Sequence, residues 1–286
     1  MVNKVAVIIL NYNSSDDCRK CVSFLKRQEG VELELILVDN CSPDGDKVKA
    51  LCQEEGCTFI PSKENRGYNA GNNIGLRYAA HKGYKYALIA NPDMEFPQND
   101  YVRKLIETIE MDSKIVLVGT DILTPLGKHQ NPMREMTFYE EFFWPITIFR
   151  FRKSGKWFLD DHTHSGFCKK LSGCCFLIKL SFIKQIGFFD ENTFLYSEES
   201  ILAKQVLNSG NKMYYLSDSQ AIHNHIKSEK GNPCKRMNIL HVSRWYYLEK
   251  YSGYSKWMLC LLRKSKSIQY FLYNQYFKYI CGTKKE

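Results

Sequence analysis

The hydrophobic pattern alternates short apolar runs with amphipathic segments along most of the chain. The run from Val5 to Leu10 is apolar at every position, which is typical of a strand buried on both faces of a parallel sheet. Similar runs predict strands over residues 5–10, 33–38, 58–60, 84–90, 115–118, 171–178, 213–216 and 220–223. Helical spacing predicts helices over residues 16–28, 46–55, 99–111, 181–186, 198–208 and 232–251, and one that ends near residue 81. This alternation predicts an α/β fold with a mostly parallel sheet flanked by helices.

Regular signals fade between residues 124 and 170, where aromatic and basic side chains dominate. A stretch of this length without clear elements is more often a binding surface than filler. We therefore expect substrate contacts in this segment.

Composition indicates a folded chain without a membrane span. The 286 residues are 44% hydrophobic, and no apolar run reaches the roughly 18 to 20 residues that cross a bilayer. The first residues lead directly into a strand rather than a signal peptide, so we expect a cytoplasmic protein. The eleven cysteines lack framework spacing and are expected to be reduced, and the Cys18–Cys21 pair has no second pair at metal-site spacing.

Polar side chains follow three of the predicted strands at the point where each strand ends. Asn11 and Asn13 follow the first strand, Asp39 the second, and Asn91 and Asp93 a later one that Pro92 terminates. In open α/β sheets ligands bind beyond the carboxyl ends of the strands. Asp93 in this position suits a hard cation such as Mg²⁺ or Mn²⁺, which holds phosphate oxygens. Since a carboxylate can accept the N3–H of uracil or thymine, Asp39 suggests a pyrimidine nucleotide.

A stretch rich in glycine and asparagine, residues 64–75, opens the helix that ends near residue 81. Gly67 and Gly71 let the backbone approach another group closely, and Asn65 and Asn72 supply amides beside them. A helix N-terminus favours an anion. The stretch is neither a P-loop nor the dinucleotide fingerprint, because no Gly-Lys-Ser/Thr follows and the first strand does not precede it.

Two adjacent glutamates open the predicted helix over residues 198–208. Glu199 is a candidate general base, and the helix dipole favours its charged form. The same dipole explains acidic residues in a first turn without any catalytic role. Glu198 is expected to point about 100° away around the helix, so that the two cannot serve one spot. Which of the two is the base stays open at this point.

Two histidines end the last predicted strand pair. His223 and His225 are two residues apart and would share one face of a continuing strand. Packing is the usual role of a lone histidine. A zinc site with Cys234 is an alternative, but the spacing matches no standard ligand set.

The net charge of +9 belongs to the C-terminal part of the chain. Residues 227–286 hold 13 Lys/Arg and 3 Asp/Glu, which gives +10, whereas the first 226 residues are nearly neutral. Basic residues mixed with aromatic ones after Trp257 suit an interfacial helix on an anionic membrane. Packing on the domain or on a second subunit, as in a homodimer, is the alternative. We expect the helix that carries Arg244 to close over the ligand site.

The motifs together resemble the inverting family 2 glycosyltransferases, in the branch that includes rhamnosyltransferase-like enzymes. The resemblance covers roughly residues 4–250. The motifs that carry it are, in order, Asn11-Tyr-Asn, Val38-Asp39-Asn40-x-Ser42, Asn65-x-Gly67-x-x-x-Gly71-Asn72-Asn73-x-Gly75, Asn91-Pro92-Asp93, Gly187-Phe-Phe-Asp-Glu, Phe194-Leu-Tyr-x-Glu-Glu199 and His223.

This resemblance implies a GT-A fold, a nucleotide-diphosphate sugar donor and a divalent metal. It implies that Asp39 contacts the base, that Asp93 binds the metal, that His223 completes the metal or diphosphate site and that Glu199 is the catalytic base. The family usually has an aspartate at the position of Glu199, and often another where Ile201 stands.

With this resemblance we predict a donor site that includes Asn11, Asn13, Asp39, Asn65, Gly67, Gly71, Asn72, Asn91 and Arg244. The predicted organisation is a GT-A domain over residues 1–230, with a nucleotide-binding half (about 1–95) and an acceptor half (96–230), and a helical extension over residues 231–286. We expect a UDP- or dTDP-sugar donor, and an acceptor that is a saccharide or a lipid-linked glycan in cell-surface polysaccharide synthesis. The tail would place the enzyme at the cytoplasmic face of the membrane.

Two other classes of function compete with this interpretation. A sugar nucleotidyltransferase would share the fold and the metal, but it requires a Gly-rich, basic phosphate loop after the first strand, where this chain has Asn-Tyr-Asn-Ser-Ser. A nucleic-acid-binding protein would explain the basic tail but not the acidic residues at the strand ends, so we expect no nucleic-acid partner.

Overall fold

The computed structural model describes residues 4–151, 159–225 and 233–283. Its strands are β1 (Lys4–Asn11), β2 (Glu32–Asp39), β3 (Thr58–Pro61), β4 (Tyr86–Ala90), β5 (Met94–Glu95), β6 (Ile115–Leu123), β7 (Gly166–Cys168), β8 (Cys175–Lys179) and β9 (Lys212–His223). Its helices are α1 (Ser15–Leu25), α2 (Gly45–Glu55), α3 (Tyr68–His81), α4 (Tyr101–Glu110), α5 (Phe138–Phe142), α6 (Trp144–Phe151), α7 (Leu180–Gln185), α8 (Glu198–Asn208), α9 (Pro233–Lys250) and α10 (Lys256–Thr283).

The strands of the described residues form one mixed sheet in the order β3-β2-β1-β4-β8-β6-β9-β5, with β7 paired to β9. Strands β3, β2, β1 and β4 are parallel to one another, β8 runs antiparallel to β4 and β6, and β9 is parallel to β6. The α/β fold with a mostly parallel first half is therefore confirmed. The adjacency of β2, β1 and β4 brings three of the predicted strand ends to one edge of the sheet.

Strand β1 shows why its sequence is apolar throughout. Val5, Val7 and Ile9 pack with helices α1, α2 and α4 on one face of the sheet. The alternate residues, which include Ile8, pack with α3, α7 and α8 on the other face. Because successive strand side chains point to opposite faces, a strand covered on both sides has to be apolar at every position. Cys18 and Cys21 are buried in the first of these layers, which gives the CxxC pair a packing role.

Three of the predicted elements differ from the structure. The two closing strands are one strand, β9, since β6 pairs with both parts across an irregularity between Leu216 and Gln220. Strand β8 begins at Cys175 rather than near residue 171, and the carbonyl of Cys174 just before it accepts the N–H of Asn91 at 2.8 Å, next to the end of β4. The segment over residues 124–170 contains α5, α6 and β7, and a capping box of Thr137 and Glu140 starts α5.

The C-terminal helices pack on the body of the protein through a separate apolar cluster. Ile201 of α8, Tyr247 and Leu248 of α9 and Leu262 of α10 form its buried centre, and Leu262 has no exposed surface. The last helix is therefore partly a core element. Within the residues described above, none of the helices combines the length and the apolar character that a bilayer crossing requires.

Candidate active site

The ends of β1 and β2 meet in a buried hydrogen-bond cluster. The side-chain amide of Asn11 donates to Oδ1 of Asp39 and to Oδ1 of Asp44, each at 2.9 Å, and Asn11 has no exposed surface. The backbone N–H of Ser42 donates to Oδ2 of Asp39 at 3.2 Å. Asn11 therefore orients Asp39. A carboxylate oxygen has lone pairs for further donors, so Asp39 can still accept one from a ligand.

Asp44 is a member of this cluster that the sequence analysis missed. Burial works against its charge, but hydrogen bonds from Ser42, Asn11 and Ser15 lower the pKa of Asp44 to about 2. Asn13 adopts a positive φ of 57° and donates its backbone N–H to the Ser42 hydroxyl at 2.7 Å, with its own side chain exposed. A Ser-Pro-Asp-Gly turn is the sequence signal that could have identified Asp44.

The glycines after β3 approach protein rather than ligand, which corrects our expectation for them. A Cβ on Gly67, whose φ is 102°, would lie 2.3 Å from the carbonyl oxygen of Phe194. A Cβ on Gly71 would lie 2.5 Å from Leu10, so this glycine lets α3 pack on β1. Asn72 is buried and donates to the Tyr68 carbonyl one turn earlier. The structure thus gives Gly71 and Asn72 packing roles instead of a place on the cleft surface.

Asn65 and Asn40 lie at the cleft side of this loop. Oδ1 of Asn65 accepts from the Gly67 N–H at 3.0 Å and from the Asn40 amide at 3.1 Å. The Oδ1 of Asn40 is buried without a hydrogen-bond partner in the described structure. A buried acceptor of this kind ordinarily has a partner, so a ligand donor is a suitable one here.

Asp93 lies directly beyond β4, beside two histidines. Its Oδ2 is 3.3 Å from Nε2 of His223 and 3.2 Å from Nδ1 of His225. Among the described residues, one ligand atom from each of the three lies within 4.8 Å of the others, and Cys234 is not part of this group. Pairing of Met94 with His223 in the sheet holds the two sides together. His225 was noted for its spacing but was not among the predicted ligands.

The electrostatics of this cluster favour opposite charges. Burial alone would lower the pKa of His223. Hydrogen bonds to Asp93 and Cys174 outweigh this effect and raise the pKa to about 10. Asp93 is desolvated too, yet hydrogen bonds from the two histidines lower its pKa. Nδ1 of His223 lies 2.9 Å from Oε1 of Gln130, which leaves Nε2 directed at Asp93. One carboxylate and two imidazoles, of which Gln130 orients the ring of His223, fit a divalent metal, which would replace the proton of His223.

Asn91 connects the metal-type cluster to the other side of the cleft. The Tyr68 hydroxyl lies 2.9 Å from Oδ1 of Asn91 and 2.8 Å from the carbonyl oxygen of Gly173. Burial raises the pKa of Tyr68 well above its usual value, so it serves as a neutral hydrogen-bond donor. Asn91 is therefore held by protein groups on the strand-end side of the cleft.

Both glutamates of the first turn of α8 face Gly173, which corrects the expectation that they diverge. A Cβ on Gly173 would lie 3.3 Å from Cγ of Glu199 and 3.6 Å from Cγ of Glu198. The helix starts after Ser197, which has a positive φ of 66° and does not cap it with its side chain. Tyr68, Glu198 and Glu199 line one small cavity whose other walls are mainly apolar.

The two carboxylates differ in their electrostatic environment. Oε2 of Glu198 is buried without a hydrogen-bond partner in the described part of the chain. Burial, together with the neighbouring charge of Glu199, raises the pKa of Glu198 well above its ordinary value. Glu198 is therefore a carboxyl group whose charged form the site disfavours.

Arg244 lies in a buried ion-pair network, which corrects its expected place over the ligand. Its guanidinium donates to Oε1 of Glu141 at 2.9 Å and to Oε1 of Glu135 at 2.7 Å. Oε2 of Glu135 accepts from Lys170 at 2.9 Å and from the Ser200 hydroxyl at 2.7 Å. Both carboxylates pair with the guanidinium of Arg244. Arg244 therefore links α9 to α5, which contains Glu141, and to the segment before α5, which contains Glu135. Glu135 and Glu141 had no local sequence signal.

The fold and this site together indicate a glycosyltransferase, and comparison with known proteins supports this class. The family described as Glycosyl transferase family 2 matches residues 6–186, which is more than half of the chain. The chain belongs to this family, and the resemblance inferred from the motifs is confirmed.

The known proteins that share detectable sequence with the chain include two glycosyltransferases of named reaction. The low-salt glycan biosynthesis hexosyltransferase Agl10 of Haloferax volcanii is 30% identical over 204 residues, which are 70% of this chain and 60% of the relative. An N-acetylglucosaminyl-diphospho-decaprenol L-rhamnosyltransferase of Mycobacterium tuberculosis is 21% identical over 271 residues, 89% of this chain and 87% of the relative. The chain thus spans less than two thirds of the first relative.

Solved structures support the GT-A fold. A mannosyltransferase from Pyrobaculum calidifontis in complex with GDP-Man and Mn²⁺ superposes with a TM-score of 0.62 at 15% identity, over 94% of this chain and 75% of that one. Residues 1–349 of TarS from S. aureus, in complex with UDP, superpose with a TM-score of 0.56 at 14% identity, over 92% and 70%. The expected fold class is confirmed.

Proposed function

We propose that this chain transfers a sugar from a nucleotide-diphosphate donor to a hydroxyl of a glycan or lipid-linked glycan, with inversion at the anomeric carbon. The observation that carries the proposal is the Tyr68 hydroxyl, which bridges Asn91 and Gly173. Asn91 is two residues from Asp93, and Gly173 faces Glu199. The bridge therefore joins a metal-type cluster and a candidate base across one cleft.

The donor nucleotide would lie at the ends of β1 and β2. Asp39, oriented by Asn11, would accept a hydrogen bond from the base, which favours UDP or dTDP. Asn65, Asn13 and the backbone around Gly67 supply further polar groups there. Two structural neighbours were solved in complex with GDP-Man and with UDP, which supports a nucleotide ligand for this chain.

Asp93, His223 and His225 would hold the divalent metal. The metal would supply positive charge that offsets the charge developing on the departing diphosphate. Mg²⁺ prefers all-oxygen ligands, so the two imidazoles favour Mn²⁺ among the two expected ions. A neighbour with Mn²⁺ supports this choice.

Glu199 would act as the general base. It would take the proton of the acceptor hydroxyl as that oxygen bonds to the anomeric carbon and the nucleotide diphosphate leaves from the opposite face. A base has to be deprotonated, and Glu198 has the raised pKa and the unpartnered buried oxygen of a protonated group. This environment selects Glu199 over Glu198.

The acceptor would approach from the side of residues 124–170. The name of the mycobacterial relative includes a lipid diphosphate acceptor, which supports a lipid-linked glycan here. An enzyme with such an acceptor would act at a membrane surface, which we take to be the cytoplasmic face. Residues 231–286 would attach the chain to that surface. A homodimer is the alternative use of the same C-terminal helices.

A panel of nucleotide sugars tests the reaction class. With Mn²⁺, a UDP- or dTDP-sugar should be hydrolysed slowly to the nucleoside diphosphate and free sugar, and chelation with EDTA should stop this. A nucleotidyltransferase would instead need pyrophosphate and form a nucleoside triphosphate. Release of triphosphate, or thermal stabilisation by an oligonucleotide and not by UDP or dTDP with Mn²⁺, would contradict the proposal.

A further inference from the structure

Helix α10 presents an apolar stripe away from the body of the protein. Trp257, Leu261, Ile268 and Phe271 are 63%, 38%, 58% and 59% exposed, although each is apolar. Their spacing of three, four and seven residues places them on one face of the helix. Leu262 on another face is buried in the cluster with α8 and α9. The helix therefore has one side for the core and a second apolar side that no residue in the described part of the chain covers.

Helices α5 and α6 carry a similar stripe. Tyr139, Phe143, Ile146 and Phe149 are 71%, 48%, 65% and 83% exposed, and they too are three or four residues apart. Large exposed apolar residues that occur singly need no explanation, but a contiguous set marks an interaction surface. This segment was expected to be a binding surface, and it is apolar rather than polar.

The two stripes belong to one packed unit. The ring of Phe138 lies 6.1 Å from that of Trp257, and the ring of Trp144 lies 6.0 Å from that of Tyr273. The Ser265 hydroxyl donates to the carbonyl of Phe142 at 2.8 Å. We call the two stripes together the α6–α10 surface; its members are Tyr139, Phe143, Ile146, Phe149, Trp257, Leu261, Ile268 and Phe271.

The charged residues of α6 and α10 are all basic, and the two glutamates of α5, Glu140 and Glu141, form ion pairs with Arg134 and Arg244. Residues 256–283 contain five basic and no acidic residues, and α6 contains Arg150 and no acid. Lys256 and Arg150 are exposed beside the stripes, and Lys264, three residues after Leu261 and four before Ile268, is exposed within the α10 stripe. Apolar residues at helical spacing with basic residues beside them are the composition of a helix that lies in the headgroup region of an anionic bilayer.

We propose that the α6–α10 surface binds the surface of an anionic lipid bilayer. Apolar side chains of both helices would enter the boundary between headgroups and acyl chains, and the basic side chains would contact the phosphates. The inference deepens the proposed function, on which its purpose rests, because a lipid-linked acceptor is met at a bilayer. Lipid binding needs neither donor nor acceptor, so it can fail while the transferase reaction stands.

Co-sedimentation of the full chain with vesicles tests the proposal. Vesicles of phosphatidylcholine with phosphatidylglycerol should bind the protein, and vesicles of phosphatidylcholine alone, or added salt, should weaken binding. Phe149→Glu and Ile268→Glu should each reduce the binding constant about tenfold or more, since each removes a large inserted side chain. Met111→Glu is the matched control, because Met111 is an apolar side chain, 68% exposed, at the end of α4, and should leave binding unchanged.

A second measurement uses the tryptophan fluorescence of the protein with and without Trp257. Brominated acyl chains should quench tryptophan fluorescence, and Trp257→Phe should remove most of that quenching. The proposal is overturned if the full chain does not bind anionic vesicles, or if Met111→Glu reduces binding as much as the two test variants. It is also overturned if the test substitutions dissociate a dimer in sedimentation and leave vesicle binding intact, since the surface then holds a second copy of the chain.

Discussion

The hydroxyl of Ser200 donates a 2.7 Å hydrogen bond to Oε2 of Glu135. Ser200 directly follows the candidate base Glu199 in helix α8. The Glu135 carboxylate also pairs with Lys170 and Arg244, so one partly buried group joins α8 to the segment that follows β7 and to α9. Glu135 does not line the cavity that Glu199 lines. It is therefore a positioning residue for the base rather than a catalytic one.

Replacing Glu135 by Gln should weaken both stability and turnover. The variant removes the negative charge between two cations, which should lower the free energy of unfolding by roughly 2 kcal/mol or more. This is less than the ~3–5 kcal/mol typical of a fully buried pair, because Glu135 is 27% exposed. We expect steady-state kinetics to show a lower kcat with little change in the KM for the donor. Chemical denaturation of the same samples measures the loss of stability. Glu107→Gln, which removes an exposed pair with Arg103, should change stability little, because solvent screens such a pair.

The effect of Glu135→Gln should also depend on pH. Glu135 is desolvated, but Arg244 and Lys170 lower its pKa to about 2. A carboxyl with a lowered pKa stabilises the fold above its unfolded value of about 4.3, and this stability is lost as pH falls towards 2. The difference between wild type and variant should therefore shrink over that range. An equal difference at pH 7 and pH 2.5 would show that the charge of Glu135 is not what holds the network.

Asp93→Ala should abolish the metal-dependent part of donor binding. The change removes the one carboxylate of the cluster and leaves two imidazoles, which should reduce Mn²⁺-dependent affinity for UDP by more than the roughly 10–100-fold typical of losing an outer-shell partner. Calorimetry with UDP, with and without Mn²⁺, measures it. Glu95→Ala is the control, since Glu95 is two residues away and bonds to Asn224 instead. Equal Mn²⁺-dependent affinity in wild type and Asp93→Ala would remove Asp93 from the metal site.

The strand-end residues could be predicted from sequence because their signals are local. Apolar runs set β1, β2 and β4, and Pro92 ends the last of them, so Asn11, Asp39 and Asp93 follow from strand adjacency alone. The sequence does not show which group packs against the α-carbon of a glycine. Gly71 was therefore assigned to a ligand, whereas its missing side chain makes room for Leu10.

Long-range pairing explains the other differences. Arg244 and Glu141 are 103 residues apart, and no local pattern connects them, so Arg244 had no visible partner other than a ligand. The direction of Glu198 depends on the positive φ of Ser197, which helical geometry alone does not supply. His225 lies beyond the end of β9, and only the turn of the backbone there brings it to Asp93.

Glu198→Gln should stabilise the protein as pH rises. A carboxyl with a raised pKa contributes full stability below its unfolded value of about 4.3, and this is lost as pH rises through the higher folded value. The glutamine variant has no such loss. Its melting temperature should match wild type at pH 4 and exceed it at pH 8 by at least about 2 °C, the shift that ~1 kcal/mol produces in a domain of this size. Parallel melting profiles from pH 4 to pH 8 would mean that Glu198 folds in its charged form.

Glu199→Gln should remove most turnover while donor binding stays the same. Glutamine keeps the shape and the hydrogen bonding but has no basic oxygen, so kcat should fall by about 10² to 10⁴, the usual range for a general base. The donor affinity should hardly change, because the base acts on the acceptor hydroxyl. Glu198→Gln should be milder, since a protonated carboxyl and an amide are similar in shape and both are uncharged. Single-turnover rates with one acceptor, and calorimetry with UDP and Mn²⁺, separate the two effects. If Glu198→Gln is the inactive enzyme and Glu199→Gln still turns over, Glu198 is the base, and the raised pKa belongs to a group that must lose its proton when the donor binds.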